Sequence, residues 1–157
     1  MPQMSFRRQG RLIVVMHTAQ PASTDEWTRY LAMLTSMIAE LQLSPMAPTA
    51  LVFTDGAAPS AEQRRSFIDV VGKLSFRTSV VTTSRFTRGI VTALSWFTPG
   101  VRAYDPDDAT AILQHAGIGS YDLPVMMAMA EELAADIGGV GVYDRFAAAL
   151  ENRDRPA

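Results

Sequence analysis

Cysteine is absent from the chain, so disulfides, thiolate nucleophiles and cysteine metal ligands are all excluded. A long apolar run near the start of the sequence is lacking as well, and we expect the five apolar residues Leu12–Met16 to be too few for a signal-peptide core or a membrane span. Basic charge is not in excess: the formal net charge is −2 and the isoelectric point is about 5.6. Nucleic-acid-binding domains normally carry a basic footprint. We therefore expect a cytoplasmic protein that binds neither nucleic acid nor a membrane.

The common catalytic motifs are also missing. The sequence contains no Gly-x-Gly-x-x-Gly after a strand, no phosphate-loop Gly-Lys-Ser/Thr, no Gly-x-Ser-x-Gly and no His-Glu-x-x-His. These absences argue against the common nucleotide enzymes, serine hydrolases and zinc proteases. We therefore expect a protein that is not an enzyme and uses no cofactor and no metal.

The residues that are present indicate one globular α/β domain. The 157 residues are 48% hydrophobic and 19% charged, as in folded domains rather than disordered chains. Short apolar runs that predict strands alternate with apolar residues at helical spacing. The predicted strands are Leu12–Met16, Ala50–Phe53, Thr78–Thr82 and Val101–Tyr104. This alternation predicts a mostly parallel sheet of four or five strands, flanked by helices.

The chain divides into four predicted segments. Residues 1–9 are expected to be a flexible, basic leader, and residues 10–118 to form the α/β domain. Residues 119–151 are expected to form a C-terminal helical hairpin, and residues 152–157 a frayed tail.

Methionine is concentrated in the predicted hairpin. Met126, Met127 and Met129 widen the apolar surface of its first helix, and Phe146 belongs to the apolar stripe of its second helix. A helix that is apolar nearly all round must be covered, either by the sheet of the same chain or by a second subunit. A homodimer formed through these four residues is therefore one of the two arrangements that we consider.

The most informative segment runs from Ser79 to Phe97, where a buried strand ends and a helix begins at once. The hydroxyls of Thr83 and Ser84 collect at this junction. Ligands of open α/β sheets bind at this edge of the sheet. Ser84 has two interpretations: its hydroxyl caps the helix, or it is a phosphorylation site, with Thr83 as the neighbouring candidate. Both can hold together.

Arg85 and Arg88 follow in the first turn of the same helix. Cations there oppose the helix dipole, so two of them indicate a compensating anion. That anion is either a carboxylate of this chain, Asp55 or Asp105, or an external phosphate, nucleotide or acidic partner.

His17 and Asp55 end two other predicted strands at the same edge. A lone histidine is most often a hydrogen-bonded structural residue, and Asp55 precedes Gly56 in a typical turn sequence. The functional alternative makes His17 or Asp55 an acid–base group, with Asp55 also able to accept phosphate or bind a metal.

Several of these segments resemble a known family. Gly10–Val15, Thr54–Gly56, the junction with Ile90–Phe97, and Val101–Tyr104 are similar to the STAS-like domains, the bacterial anti-sigma factor antagonist-like family. The resemblance covers residues 10–116.

The resemblance implies a sheet of four or five strands with helices, no catalysis, and regulation through protein contacts. It also implies that a partner kinase phosphorylates a serine or threonine at a strand end, where Ser84 or Thr83 stands here. Thr82–Arg85 replaces the Asp-Ser-Ser/Thr-Gly signature of the family, and the helical hairpin follows its expected domain end.

Three functions are compatible with the sequence. The first is a non-enzymatic regulatory or scaffold module that binds a protein partner around Ser84, Arg85 and Arg88. The second is a small-anion or nucleotide-binding domain in which the two arginines clamp the anion and His17 or Asp55 transfers protons. The third is a structural assembly subunit that dimerises through its methionine-rich hairpin.

Overall fold

The structure is a computed structural model, and it describes residues 1–72 and 76–156. The apolar residues Phe67, Ile68, Val71 and Leu74 predict a helix, and Leu74 lies outside the described residues. The elements follow one another as β1 (Met4–Gln9), β2 (Leu12–His17), α1 (Thr24–Leu41), β3 (Thr49–Thr54), α2 (Ala61–Val71), β4 (Arg77–Val81), α3 (Arg85–Ser95), β5 (Val101–Tyr104), α4 (Ala109–Ala116), α5 (Leu123–Asp136) and α6 (Gly141–Arg153).

The five strands form one sheet in the order β1-β2-β3-β4-β5. Strands β2 to β5 run parallel to one another, and β1 pairs antiparallel with β2. Val15, Val52 and Val80 are neighbours across the three central strands. The predicted α/β architecture with a mostly parallel sheet is confirmed.

Strand β1 corrects the prediction that residues 1–9 form a flexible leader. A two-residue turn, Gly10-Arg11, joins it to β2, and Gly10 has a φ of +58°, which suits a residue without a side chain. The strand has a polar sequence because it lies at the edge of the sheet, where much of its surface is exposed to solvent. Arg7 pairs with Glu132, and Arg8 pairs with Glu40, so the basic residues contact carboxylates of this chain.

The sheet has an apolar core on each face. Helices α1, α2 and α3 cover one face, and α4, α5 and α6 cover the other. Side chains of a strand alternate between the faces, so Val14 and Met16 join the second core while Ile13 and Val15 join the first. The continuous apolar sequence of β2 favours a strand buried on both faces, and residues Leu12–Met16 are all buried.

The C-terminal helices pack on the sheet of the same chain. Helix α5 lies against β1 and β2, and α6 lies against β3 and α4. Met126, Met129 and Phe146 are buried in that core, and Met127 is half-buried beside it. The alternative in which these methionines and Phe146 form an interface with a second subunit is therefore corrected, because they pack on the sheet of their own chain. The three crossover helices all occupy one face, so the last helices are needed to cover the other.

Two helix boundaries differ from the prediction. The sequence favours Thr24 as the N-cap of the first helix, whereas Ser23 caps α1 and Glu26 completes the capping box. Helix α6 extends to Arg153, so the expected frayed tail begins two residues later than residue 152. None of the helices in the described ranges has both the length and the apolarity that crossing a membrane requires.

Candidate functional site

The junction between β4 and α3 has the predicted geometry of a capped helix start. Ser84 has an extended backbone (φ −75°, ψ 119°), and its Oγ accepts a hydrogen bond from the Thr87 N–H at 3.2 Å. The Ser84 N–H in turn donates to the Thr82 hydroxyl at 3.1 Å. Ser84 is half-buried, and its neighbour Thr83 is exposed. The capping role of Ser84 is confirmed, and both hydroxyls remain within reach of solvent.

The loops on either side hold the junction in place. The buried Thr82 donates its N–H to the Tyr104 carbonyl at 3.0 Å, which ties the end of β4 to the end of β5. The buried Thr87 donates its hydroxyl to the Gly56 carbonyl at 3.0 Å, which ties the start of α3 to the turn after β3. Hydrogen bonds to the end of β5 and to the turn after β3 therefore fix the residues on both sides of Ser84.

Arg88 meets a carboxylate of this chain. Its Nη2 donates to the Thr82 carbonyl at 3.2 Å and lies 3.5 Å from Asp105 Oδ2. Arg145 of α6 approaches the same carboxylate at 3.7 Å and pairs with Asp107 at 2.6 Å. Of the two carboxylates expected to compensate Arg88, Asp105 does so and Asp55 does not.

Arg85 differs from Arg88. Its side chain is exposed, and it forms no hydrogen bond or ion pair with any residue in the described parts of the chain. The two arginines therefore do not form a ready-made clamp, because one is already engaged. Arg85 is the cation next to Ser84 that a phosphate or an acidic partner would meet.

Asp55 has a structural task. Its Oδ2 accepts from the Gly141 N–H at 2.9 Å, and its Oδ1 accepts from the Val142 N–H at 3.0 Å. These are the first N–H groups of α6, so a carboxylate in the β3 loop caps a helix 86 residues away in sequence. Both oxygens are engaged, which fits capping rather than phosphoacceptor or base chemistry.

His17 lies at the end of β2 on the face covered by α1. Its Nδ1 is buried and has no hydrogen-bond partner among the described residues, although part of the side chain stays exposed. Burial lowers the pKa of His17 to about 4, and the Glu26 carboxylate nearby opposes that shift. The imidazole is therefore neutral at neutral pH and poorly suited to act as a base there.

Glu26 is also fixed in a structural role. Burial opposes its ionisation, but N–H groups of Ser23, Gln3 and Met4 donate to its carboxylate and hold its pKa below the usual value. The capping box of α1 thereby anchors β1 as well.

An exposed apolar surface on α3 was not predicted from the sequence. Phe86 and Ile90 lie four residues apart on α3, and Trp96 and Phe97 follow in the turn just after the helix ends at Ser95. We call these four residues the α3 aromatic face. Phe86 is 73% exposed, Trp96 76% and Phe97 62%. Thr87, Val91 and Leu94 form the buried side instead.

The signal for this surface was present in the sequence. Residues 85–97 carry two apolar stripes at helical spacing, and a helix on one side of a sheet can bury only one of them. The second stripe must face solvent or a partner.

Comparison with protein-family models and with curated proteins gave no match. Within residues 1–72 and 76–156, no three histidine or acidic side chains lie close enough together to hold a metal ion. The function is therefore argued from the junction and the α3 aromatic face.

Proposed function

We propose that this protein is a non-enzymatic regulatory or scaffold module of the cytoplasm that binds a protein partner through the α3 aromatic face. The observation that carries the proposal is the exposure of three large aromatic side chains, Phe86 on α3 and Trp96 and Phe97 just after it. Contiguous exposed apolar patches are typical of protein-binding surfaces, and a few anchor residues, among which Trp, Tyr and Arg are enriched, supply most of the binding energy at interfaces.

The neighbouring charges favour a partner with acidic groups around an apolar centre. Arg85 lies at the start of the same helix and is exposed, with no partner in the described residues. An acidic rim on the partner would pair with it, while the aromatic side chains would fill apolar pockets.

Phosphorylation of Ser84 would regulate partner binding at this surface. A kinase would transfer the γ-phosphoryl group of ATP to Ser84 Oγ, with loss of the hydroxyl proton. The phosphate would add a charge of about −1.5 to −2 at the N-terminus of α3, where free N–H groups and Arg85 stabilise an anion. The same charge would repel an acidic partner, so we propose that phosphorylation releases it.

The STAS-like resemblance supports this function, because that family acts through protein contacts and a phosphorylated hydroxyl at a strand–helix junction. The small-anion alternative has less support, since Arg88 is already paired with Asp105. The assembly-subunit alternative also has less support, because Met126 and Met129, which would form its dimer interface, are buried within the chain.

Affinity capture from the native host tests the proposal. We expect the unmodified tagged protein to retain a partner. The double variant Phe86→Ser, Phe97→Ser is expected to recover at least tenfold less of that partner. Tyr121→Ser is the matched control, because Tyr121 is 91% exposed and lies outside the α3 aromatic face. Equal recovery of every captured protein by the double variant and the control would contradict the proposal.

A further inference from the structure

A cleft of about 70 Å³ enters the face of the sheet that α1, α2 and α3 cover. Helix α2 packs on α1, while α3 packs against β5, and the cleft lies between α2 and α3. Its floor includes Val52 of β3, the middle strand of the five. Val52 is only half-buried, whereas its neighbours Val15 and Val80 are buried. The helices therefore leave the centre of this sheet face open.

The cleft is apolar with a few isolated polar atoms. Its walls are formed by Phe67 of α2 and by Val91 and Leu94 of α3. Trp27 Nε1 and Thr78 Oγ1 belong to buried side chains that line the cleft, and neither atom has a hydrogen-bond partner among the described residues. Unpartnered buried polar atoms are rare in folded proteins. An indole N–H can only donate, so it requires an acceptor.

One charged side chain lines the cleft among the described residues, and it is Arg64 of α2. Its Nη1 donates to the Pro59 carbonyl at 2.8 Å, and no carboxylate in the described ranges lies within ion-pair distance. The other guanidinium donors are suited to a planar, two-oxygen acceptor. Gln63, next to Arg64, donates to the Ala22 carbonyl at 3.4 Å, so the starts of α1 and α2 are adjacent. Trp27 and Arg64 therefore belong to the same end of the cleft.

We infer that this cleft binds a small monocarboxylate with a short alkyl tail. The carboxylate accepts hydrogen bonds from Arg64 and Trp27, and the tail lies between α2 and α3 against Val52 and Val80. The volume is about half of the ~150 Å³ cavity that holds benzene, which limits the enclosed part of the tail to about three to five carbons. This inference goes beyond the proposed partner binding and does not depend on it.

Nuclear magnetic resonance of the full-length protein tests the inference, with pentanoate and 3-methylbutanoate as probes. The indole N–H of Trp27 reports on the cleft, and the exposed Trp96 is an internal control. We expect saturable shifts at Trp27 and not at Trp96. We also expect each acid to bind at least tenfold more tightly than its neutral amide, because the amide lacks the charge that Arg64 pairs with.

Matched variants identify the site. Arg64→Gln is expected to weaken binding of the acids at least tenfold and to leave the amides unchanged, while Arg65→Gln, at the exposed neighbouring position, leaves both unchanged. Val52→Ile, a mild substitution that narrows the floor, is expected to weaken binding of the branched tail more than that of the linear tail. The inference is overturned if no probe shifts Trp27 saturably, if acids and amides bind equally, or if Arg64→Gln binds as Arg65→Gln does.

Discussion

Ser84 combines a structural role as a helix cap with the regulatory role that we propose for it. Its oxygen accepts the hydrogen bond from the Thr87 N–H that starts α3. The position is half-buried but lies on a surface that carries the exposed Thr83 and Arg85. A phosphate placed there would keep acceptor oxygens facing the helix N-terminus while it changes the charge of the surface.

Replacing Ser84 with alanine removes the cap. We expect Ser84→Ala to lower the free energy of unfolding by about 1 kcal/mol, and Ser84→Asp to retain most of it, because aspartate also accepts from the Thr87 N–H. Urea denaturation measures both. Thr83→Ala is the matched control, since Thr83 is exposed and its side chain forms no hydrogen bond within the described residues. An equal loss in Ser84→Ala and Thr83→Ala would show that Ser84 is not the cap.

His17 makes stability depend on pH. Its pKa falls from the ordinary 6.5 to about 4 in the folded state because of burial, with Glu26 opposing the shift. The unfolded chain therefore binds a proton at a higher pH than the folded chain. The contribution of His17 is fully present above 6.5 and is lost as the pH falls through about 4.

The size of this loss follows from the shift. We expect about 3 kcal/mol of unfolding free energy to disappear between pH 7 and about pH 4, and we expect His17→Gln to lack that part of the loss. Denaturation at a series of pH values measures it, with His115→Gln as the histidine control. Parallel pH profiles for the unmodified protein and His17→Gln would contradict a buried, neutral imidazole.

Among the elements, α6 depends on a residue far away in the chain. Asp55 accepts from the N–H groups of Gly141 and Val142, and the N-cap residue of that helix, Val140, has no side-chain oxygen with which to cap it. The turn after β3 therefore fixes the helix that covers the second face of the sheet.

Asp55→Ala is expected to lower the free energy of unfolding by about 1–2 kcal/mol, because two N–H groups lose their acceptor. Hydrogen exchange should accelerate in the first turn of α6 and remain unchanged in the core of β3. Asp136→Ala is a suitable control, since Asp136 is exposed at the end of α5. Unchanged exchange at Gly141 and Val142 would contradict the capping role.

The central elements could be predicted because their physical signals are local. Four apolar runs, Ser60 and Ser84 as helix caps, and Gly117 at the end of α4 are each visible in a few neighbouring residues. Strand β1 could not be predicted in the same way. Its sequence is polar at an edge of the sheet, and its stability comes from pairing with β2 and from contacts with α1 and α5.

The position of the candidate site could be predicted from the sequence, but its ion pairs and hydrogen bonds could not. Parallel strands bring their carboxyl ends to one edge, so His17, Asp55 and Ser84 were expected there together. Which arginine pairs with which carboxylate depends on contacts between distant residues, such as Asp55 with α6. Whether Met126 faces a partner or the sheet depends likewise on the strand order, which places all three crossover helices on one face.

The whole molecule presents two distinct surfaces on one helix. The side of α3 that faces the sheet lines the cleft through Val91 and Leu94, while Phe86 of the same helix and Phe97 just after it are exposed to solvent. A ligand in the cleft and a partner on the outside would therefore contact adjoining parts of the same element, because Ile90 of the α3 aromatic face also lines the cleft. Small shifts of a packed helix are a common way to couple two such sites.

The central claim is that the α3 aromatic face binds a protein partner under the control of Ser84. Photo-crosslinking in the native host tests it most directly, with benzoylphenylalanine at position 97 and, as the matched control, at position 121. We predict a discrete adduct with a second protein from position 97 alone, retained in Ser84→Ala and reduced at least fivefold in Ser84→Asp. An adduct of twice the mass of the chain would identify a second copy as the partner. Identical adducts from both positions, or the same yield from Ser84→Ala and Ser84→Asp, would contradict the account.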